Sequence, residues 1–353
     1  MQNILTQTKI NYYGYFTPFG GYGIANLNWI EHLDRLGLDI YPHAKFVPQI
    51  GTREYNALSD KQRELLAKPF QLQKVGIIET TPFDFGTIES KFKIANTMCE
   101  SDRIGKPWVN ACNSMDMVVV PNEFQLNVFR NSGVKVPMRI IRHGTWTEMF
   151  PYYERPKRDV FTFGIVGWLN DRKGVFDLIR AFVSEFDVDE PVRLYLKSSN
   201  KDFGFYSFFN DPRIKTDIRH LKPQELNELY QSFDCFVFPS KAEGVGQPPR
   251  EAMATGLPTI VTNYSGLEEI AHEGICYPLN PVSYSEGINP QVVEQPGKWA
   301  NIDVQELMYL MRYVYEHQEE AKAVGREGSR EIHTRHSWPV CANKMVELIK
   351  EVI

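Results

Sequence analysis

Two glutamates on either side of a glycine-bearing loop could do chemistry. Glu243 follows an apolar run, and Glu251 follows a pair of prolines of the kind that suits a first helical turn. The loop between them contains Gly244 and Gly246, so backbone N–H groups would lie beside a helix N-terminus and favour an anion such as a diphosphate. A carboxylate on each side could hold the vicinal hydroxyls of a sugar. The alternative is that Glu251 caps its own helix and Glu243 is a solvated loop residue.

The elements that must position these residues follow from the hydrophobic pattern. Short apolar runs alternate with amphipathic segments, which predicts an α/β protein with parallel sheets and crossover helices. Glu243 would then lie at the carboxyl end of a buried strand, where such sheets bind ligands. The predicted strands are 10–16, 75–79, 94–98, 117–120, 139–141, 161–167, 192–197, 235–239 and 259–262. The predicted helices begin near residue 24 and cover 123–131, 175–186, 223–232, 249–255, 303–317 and 338–352.

The chain length and one polar segment predict two domains. A chain of 353 residues is too long for one ordinary core. Segment 151–159 is polar, contains two prolines and is typical of a linker, and the pattern of strands and helices restarts after it. We therefore predict one Rossmann-like domain at 1–154, a second at 155–335 and a C-terminal helix at 336–353. The natural ligand site would be the cleft between the two domains.

Composition and charge argue against several classes of protein. The net charge of −5 argues against bulk electrostatic binding of nucleic acid, so a nucleic-acid acceptor is not expected. The five cysteines are far apart and form no C-x-x-C pair, which predicts thiols in a reducing compartment. No signal peptide is recognisable, and no apolar run approaches the ~18 residues that span a bilayer. We expect a cytoplasmic protein without a transmembrane segment, for which peripheral membrane contact stays open.

The stretch PSKAEGVGQPPREAMATGLPTI, residues 239–260, resembles the E-x7-E signature of family-4 retaining glycosyltransferases with the GT-B fold. The resemblance continues upstream in GWLNDRKG at 167–174, and downstream in SGLEEI at 265–270 and in Ser337-Trp338. The first domain is matched more loosely, through GGYG at 20–23 and through 98–102 leading to 121–124. The resemblance implies two Rossmann-like domains whose sheets face an interdomain cleft. The first domain would be the acceptor side, the second would bind a nucleotide sugar, and the C-terminal helix would pack back on the first.

The resemblance also implies roles for the matched residues. Lys173 matches the lysine of a basic pair that neutralises the donor diphosphate. Trp168 stands where the family usually has the arginine of that pair, and Arg172 is the candidate replacement. The alternative for both basic residues is a solvated helix start. The implied catalytic residues are Lys173, Arg172 and Glu243.

On the donor side, Glu251 would hydrogen-bond the ribose, and Glu243 with the adjacent backbone would contact the transferred sugar. Glycines in the first domain would let the backbone approach the β-phosphate, although an ordinary strand-to-helix turn is the alternative. The implied donor-binding residues are Gly20, Gly21, Gly244, Val245, Gly246, Glu251, Ser265 and Gly266. On the acceptor side the candidates are Glu100 and Asp102, with a helix cap or a surface loop as the alternative. His143 is interpreted as structural.

The predicted function is transfer of a hexose from a nucleotide-diphosphate sugar to a carbohydrate or other hydroxyl acceptor, with retention of configuration. A UDP-sugar is the first expectation and GDP-mannose the second. The departing phosphate would take the acceptor proton, and basic residues would replace a metal, so neither a cofactor nor a metal site is expected. Two alternatives stay open. One is an epimerase or phosphorylase of the same fold, and the other is a non-catalytic nucleotide-sugar-binding protein, favoured by Trp168.

Overall fold

The computed structural model describes residues 8–199, 211–287 and 297–353, which form two compact units. Among these residues, the first unit comprises 8–99, 103–144 and 335–353, and the second comprises 100–102 and the residues from 145 to 334. The units therefore divide after Gly144, whereas the sequence predicted a boundary after residue 154. The predicted linker packs on the second unit, because Tyr153 donates its N–H to the carbonyl of Thr255 at 3.0 Å and Arg155 donates to the same carbonyl at 2.8 Å.

The first unit is built on a parallel six-stranded sheet with the strand order β2-β1-β3-β4-β5-β6. Strands β3 and β5 are buried along their whole length, as expected for apolar runs covered on both faces of a parallel sheet. The strands are β1 Lys9–Tyr15, β2 Asp39–Phe46, β3 Val75–Glu79, β4 Phe92–Asn96, β5 Met117–Val120 and β6 Met138–Ile140. The helices are α1 Gly21–Arg35, α2 Arg53–Asn56, α3 Asp60–Leu66, α4 Lys106–Asn113 and α5 Glu123–Ser132.

The second unit repeats this architecture with the order β12-β11-β10-β7-β8-β9. Its strands are β7 Phe161–Gly167, β8 Val192–Ser198, β9 Ile214–Asp217, β10 Cys235–Phe238, β11 Thr259–Thr262 and β12 Tyr277–Leu279. A separate antiparallel pair is formed by β13 Pro281–Gly287 and β14 Gly297–Ile302. The helices are α6 Val175–Glu185, α7 Pro223–Ser232, α8 Gln247–Ala254, α9 Val304–Glu316 and α10 Gln318–Arg335. Single 3₁₀ turns occur at Asp171–Lys173 and Ser265–Leu267.

The last helix, α11 Trp338–Val352, belongs to the core of the first unit. The Trp338 ring packs edge-on against Trp29 of α1 at 5.0 Å between centroids, and Gly144 leaves room for it, since a Cβ there would lie 2.4 Å from the ring. The predicted packing of the C-terminal helix against the first domain is thus confirmed, as is the α/β class with two parallel sheets.

The strand order of the second unit determines where a site can form. Strand β7 lies between β8 and β10, which are reached by connections running in opposite directions along the sheet. Loops at the carboxyl ends of neighbouring strands on the two sides of such a switch point diverge and leave a crevice between them. Lys173 follows β7 and Glu243 follows β10, so the candidate residues of the sequence lie at this crevice.

Candidate functional site

An ion cluster lies where the loops after β7 and β10 meet. Glu243 is 4% exposed, and its Oε1 accepts hydrogen bonds from Lys173 Nζ at 2.6 Å and from the Ser240 hydroxyl at 2.5 Å. Arg172 Nη1 lies 3.1 Å from the same oxygen. The structure therefore brings into contact the three residues that the sequence suggested as catalytic, and both basic side chains reach the same carboxylate.

The cluster changes the acidity of its members. Burial alone would raise the pKa of Glu243, but the charges of Arg172 and Lys173 and the hydrogen bonds from Lys173 and Ser240 hold it well below its ordinary value. Burial lowers the pKa of Lys173, against the attraction of Glu243. Burial would also lower the pKa of Arg172, but the negative charges of Glu243 and Glu100 outweigh it and raise the value. Glu243 is thus ionised at neutral pH and holds two cations at the sheet edge.

Local backbone geometry places the two basic residues. The Asn170 side chain caps their 3₁₀ turn by accepting the N–H of Lys173 at 3.2 Å. Gly174 ends the turn with a φ of 66°, and a Cβ there would lie 2.0 Å from the carbonyl oxygen of Pro239. The carbonyl of Arg172 accepts the N–H of Lys241 at 2.7 Å. The turn after β7 can therefore lie directly against the end of β10 only with glycine at position 174.

The glycine loop after Glu243 is packed against the turn after β11. The backbone of Glu243 is held on both sides: its N–H donates to Ser265 Oγ at 2.8 Å, and its carbonyl accepts the N–H of Gly266 at 2.9 Å. A Cβ on Gly266 would lie 2.2 Å from the carbonyl oxygen of Gly244. Gly246 has a φ of 77° and directly precedes α8, whose N-terminal dipole favours an anion. The predicted donor-binding residues Gly244, Val245 and Gly246 thus lie in a loop that precedes a helix N-terminus and is hydrogen-bonded to the turn containing Ser265 and Gly266.

Arg250 is a buried residue of this site that the sequence analysis missed. Its side chain is fully buried and donates to the carbonyl of Val245 at 3.2 Å and to Glu269 Oε2 at 2.8 Å. It therefore ties the glycine loop to the segment after β11. An arginine between the two glutamates of the E-x7-E stretch was the available signal.

Glu251 lies in the second turn of α8, beyond the positions that cap a helix. It accepts a hydrogen bond from the Tyr230 hydroxyl of α7 at 2.8 Å. Burial raises the pKa of Glu251 to about 7, although the hydrogen bond from Tyr230 acts in the opposite direction. The alternative in which Glu251 caps its own helix is therefore wrong, and its carboxylate changes charge near neutral pH.

Glu100 and Asp102 belong to the second unit although they follow β4 in the chain. Glu100 Oε1 lies 2.9 Å from Arg172 Nη2, and Asp102 Oδ1 accepts the backbone N–H of Lys298 in β14 at 2.8 Å. The sequence analysis predicted that both residues lie on the acceptor side, and this stays a prediction. In the structure, Glu100 and Glu243 both form ion pairs with Arg172.

Trp168 directly follows β7 and is 48% exposed, so the position where the family usually has an arginine presents an indole ring to solvent.

Gly20 and Gly21 belong to the first unit, at the start of α1. Gly20 has a φ of 84°, and a Cβ on either glycine would meet no atom within 4 Å. This open backbone is what a close approach of a ligand to the loop would require.

A second buried carboxylate, missed from the sequence, lies at the carboxyl end of β3 in the first unit. Glu79 is fully buried and accepts hydrogen bonds from the Tyr12 hydroxyl at 2.7 Å and from Asn96 Nδ2 at 3.0 Å. His143 Nε2 lies 3.3 Å from its other oxygen. Burial raises the pKa of Glu79 to about 8, so it is mostly protonated at neutral pH. His143 is thus part of a buried polar network.

Within 8–199, 211–287 and 297–353, no three His, Cys, Asp or Glu side chains are grouped so that they could hold a metal ion. Over the same ranges, no helix combines the length and the apolar character needed to cross a membrane.

Comparison with known proteins points to one kind of fold. A sequence model of the family described as "Glycosyl transferases group 1" matches residues 160–289. The D-inositol 3-phosphate glycosyltransferase of Corynebacterium urealyticum is 26% identical over 201 residues, which are 54% of this chain and 42% of the relative. The chain spans less than half the length of the curated relatives that it matches.

Solved structures match over nearly the whole chain. Sucrose-phosphate synthase of Thermosynechococcus elongatus gives a TM-score of 0.72 at 15% identity, over 98% of this chain and 99% of that chain. The chain has the GT-B fold. HepE of Anabaena, solved in complex with UDP and glucose, is a GT-B neighbour with a TM-score of 0.68 at 14% identity, over 98% of this chain and 100% of that chain. The GT-B prediction is confirmed, while family-4 membership and retaining chemistry stay predictions.

Proposed function

We propose that this protein is a glycosyltransferase that moves a hexose from a nucleotide-diphosphate sugar to a hydroxyl acceptor with retention of configuration. The observation that carries the proposal is the cluster of Lys173, Arg172 and Glu243 at the N-terminal end of α8, in contact at 2.6 and 3.1 Å. A buried lysine and a mostly buried arginine near a helix N-terminus suit a diphosphate, which is the leaving group of such a transfer.

Each residue has a role in this proposal. Lys173 and Arg172 stabilise the charge that develops on the diphosphate as its bond to the anomeric carbon breaks. Glu243 orients both cations and contacts the hydroxyls of the transferred sugar. Glu251 binds the donor ribose. The departing phosphate oxygen takes the proton of the acceptor hydroxyl as the new glycosidic bond forms on the same face, so the protein supplies no obligatory base. The cations carry out the stabilisation that a metal ion provides in other transferases.

The donor and the setting are narrower parts of the same proposal. A UDP-sugar is the first candidate, supported by the UDP and glucose in the HepE structure, and GDP-mannose is the second. The acceptor is a carbohydrate or another hydroxyl compound. A cytoplasmic, reducing setting is supported by the five cysteines, which are buried thiols.

The proposal is tested first by binding and then by turnover. A thermal-shift panel of UDP-glucose, UDP-galactose, GDP-mannose and ADP-glucose should raise the melting temperature with one nucleotide class, because binding to the native state stabilises it. With that donor and a panel of sugar acceptors, Lys173→Ala and Glu251→Ala should each lose at least about tenfold in activity. The matched controls are Lys322→Ala, whose lysine pairs with Glu319 on α10, and Glu327→Ala on the same helix. Near-full activity of both site variants would refute the assignment.

A second function has one specific observation in its favour. Trp168 places an exposed indole where the family usually has an arginine, so one cation of the expected pair comes from another position. A non-catalytic nucleotide-sugar-binding protein would tolerate that change. Binding of a nucleotide sugar without glycosyl transfer to any acceptor, and no gain of transfer in Trp168→Arg, would favour it.

A further inference from the structure

The antiparallel ribbon of β13 and β14, which follows β12 in the chain, contacts the segment 100–102. The Trp299 indole N–H donates to the carbonyl of Glu100 at 3.2 Å, and the Lys298 backbone N–H donates to Asp102 Oδ1 at 2.8 Å. Gly297 allows close packing, since a Cβ there would lie 1.7 Å from Ser101 Oγ. Strand β14 therefore fixes the backbone from which the Glu100 side chain extends.

The same strand is also attached to the loops of the candidate site. The N–H of Ala300 donates to the carbonyl of Lys241 at 2.9 Å, and the Tyr264 hydroxyl donates to the carbonyl of Lys298 at 3.1 Å. Lys241 lies two residues before Glu243, and Tyr264 directly precedes Ser265. Because β14 contacts both segment 100–102 and the loops of the ion cluster, it sets the position of Glu100 relative to that cluster.

Glu100 uses this position to reach Arg172. Its Oε1 lies 2.9 Å from Arg172 Nη2, while Arg172 Nη1 lies 3.1 Å from Glu243. Arg172, Lys173, Glu243 and Glu100 carry formal charges that cancel. The Glu100 side chain is 31% exposed, against 6% for Glu243. Glu100 is therefore the carboxylate that an incoming anion can replace at lower cost, because water can solvate it after it leaves Arg172.

We infer that Glu100, positioned by β14, competes with the donor diphosphate for Arg172 and so sets the affinity for the donor nucleotide. This inference rests on the proposed function, because it takes the ion cluster as the diphosphate site. Glu100 and Glu243 then act in opposite directions on nucleotide binding. Glu243 keeps the cations in place, and Glu100 occupies one of them until a phosphate displaces it.

The inference predicts a gain of affinity, which a merely structural role would not give. Glu100→Gln should bind a nucleoside diphosphate about three- to tenfold more tightly than the wild type, the range expected for release of a partly exposed ion pair. Trp299→Phe, which removes the hydrogen bond to the Glu100 carbonyl, should shift affinity in the same direction by a smaller factor. Glu243→Gln should weaken binding.

The experiment is isothermal titration of the full chain with UDP, GDP and inorganic pyrophosphate, the last of which reports on the cluster without a base. The matched control is Glu190→Gln, a carboxylate paired with Arg312 at the amino edge of the sheet, which should leave all three affinities unchanged. Circular dichroism and thermal melts confirm folding, and Trp299→Phe provides an independent test if Glu100→Gln does not fold.

The outcomes separate the inference from the function on which it rests. Tighter binding of the same ligand by Glu100→Gln, with Glu190→Gln unchanged, supports the competitor role. Wild-type binding that Glu100→Gln leaves equal or weakens overturns the inference while the proposed function stands. No binding of any of the three ligands by either protein overturns both.

Discussion

Replacing Lys173 by methionine tests whether the ion cluster is coupled as its geometry indicates. Lys173 Nζ lies 2.6 Å from Glu243 Oε1 and 5.1 Å from the centroid of the Phe238 ring, and both ion-pair side chains are less than a tenth exposed. Methionine keeps an unbranched apolar chain against the ring and removes only the charge. Glu243 then keeps Arg172 and the Ser240 hydroxyl as its remaining partners.

The expected magnitude follows from the burial of the ion pair. Burial alone would raise the pKa of Glu243, but the charges of Arg172 and Lys173 outweigh it and hold the pKa well below its ordinary value. Removing one partner of a buried ion pair costs about 3 to 5 kcal/mol when the other charge is left alone, and the cost is smaller here because Arg172 and Ser240 remain beside Glu243. Burial also lowers the pKa of Lys173, so removing the ammonium recovers part of a desolvation cost. Lys173→Met should therefore lower the free energy of unfolding by about 1 to 2 kcal/mol.

The assay is a double-mutant cycle with Lys173→Met, Glu243→Gln and the double variant, measured by urea unfolding at pH 7. The double variant should be less destabilised than the sum of the single variants by about 1.5 kcal/mol. A carboxylate with a depressed pKa stabilises the fold above its ordinary pKa and loses that effect as the pH falls through the folded value. The difference between Lys173→Met and the wild type should therefore stay constant from about pH 5 to pH 8.

Additive single effects, with a coupling energy of zero within error, would refute the reasoning. The surface pair of Lys322 and Glu319 is the comparison, because one partner is 87% exposed and its coupling should be at most about 0.5 kcal/mol. A cluster coupling no larger than that of the surface pair would mean that burial does not strengthen the interaction.

Three further predictions use the same logic. Burial raises the pKa of Glu251 to about 7, so the free energy of unfolding should fall as the pH rises from about 4.5 through 7. In urea unfolding at pH 8, Glu251→Gln should therefore be more stable than the wild type by about 1 to 3 kcal/mol. Equal stability of the two proteins would contradict this. Burial likewise raises the pKa of Glu79 to about 8, so the wild type should lose about 3 to 5 kcal/mol of stability between pH 5 and pH 9, and Glu79→Gln should remove this loss. The same pH dependence in the variant and the wild type would contradict this. A Cβ on Gly266 would lie 2.2 Å from the carbonyl oxygen of Gly244, so Gly266→Ala should displace the glycine loop. The variant should keep its fold by circular dichroism and bind the nucleotide at least about tenfold more weakly. Unchanged affinity would show that this turn is not part of the donor site.

The central strands could be predicted because they are short apolar runs buried on both faces. Segment 117–120 is observed as β5, and the predicted run 235–239 is observed as β10, Cys235–Phe238. Once these strands are placed, parallel topology brings the residues after β7 and β10 to one edge. Glu243 could therefore be placed at the carboxyl end of a strand from the hydrophobic pattern, while the resemblance to a family implied that Lys173 belongs to the same site.

Contacts between distant parts of the chain could not be predicted in this way. The segment 151–159 looks like a linker because it is polar and contains prolines. In the structure, however, the Arg155 guanidinium donates to the carbonyl of Thr255, which is 100 residues away in the chain, and to the carbonyl of Phe233, which is 78 residues away. Arg250 bonds to the carbonyl of Val245 and to Glu269, and the hydrophobic pattern does not indicate these partners. The contact of strand β14 with segment 100–102 joins residues that are almost two hundred positions apart in the chain.

Glu79 and Glu243 show two solutions to the burial of a carboxylate at the end of a parallel strand. Glu79 accepts hydrogen bonds from the neutral side chains of Tyr12 and Asn96. Burial outweighs these hydrogen bonds, raises the pKa of Glu79 and keeps it mostly protonated. Glu243 is paired with two cations and stays ionised. A buried ion pair seldom improves stability over a neutral or apolar replacement, so retaining one needs another reason. Ser265, a non-glycine residue with a φ of 60°, adds backbone strain in the neighbouring turn after β11. In the second unit both costs fall on neighbouring loops at the carboxyl edge of the sheet, where cations held in place by Glu243 can meet the charge of an anionic ligand.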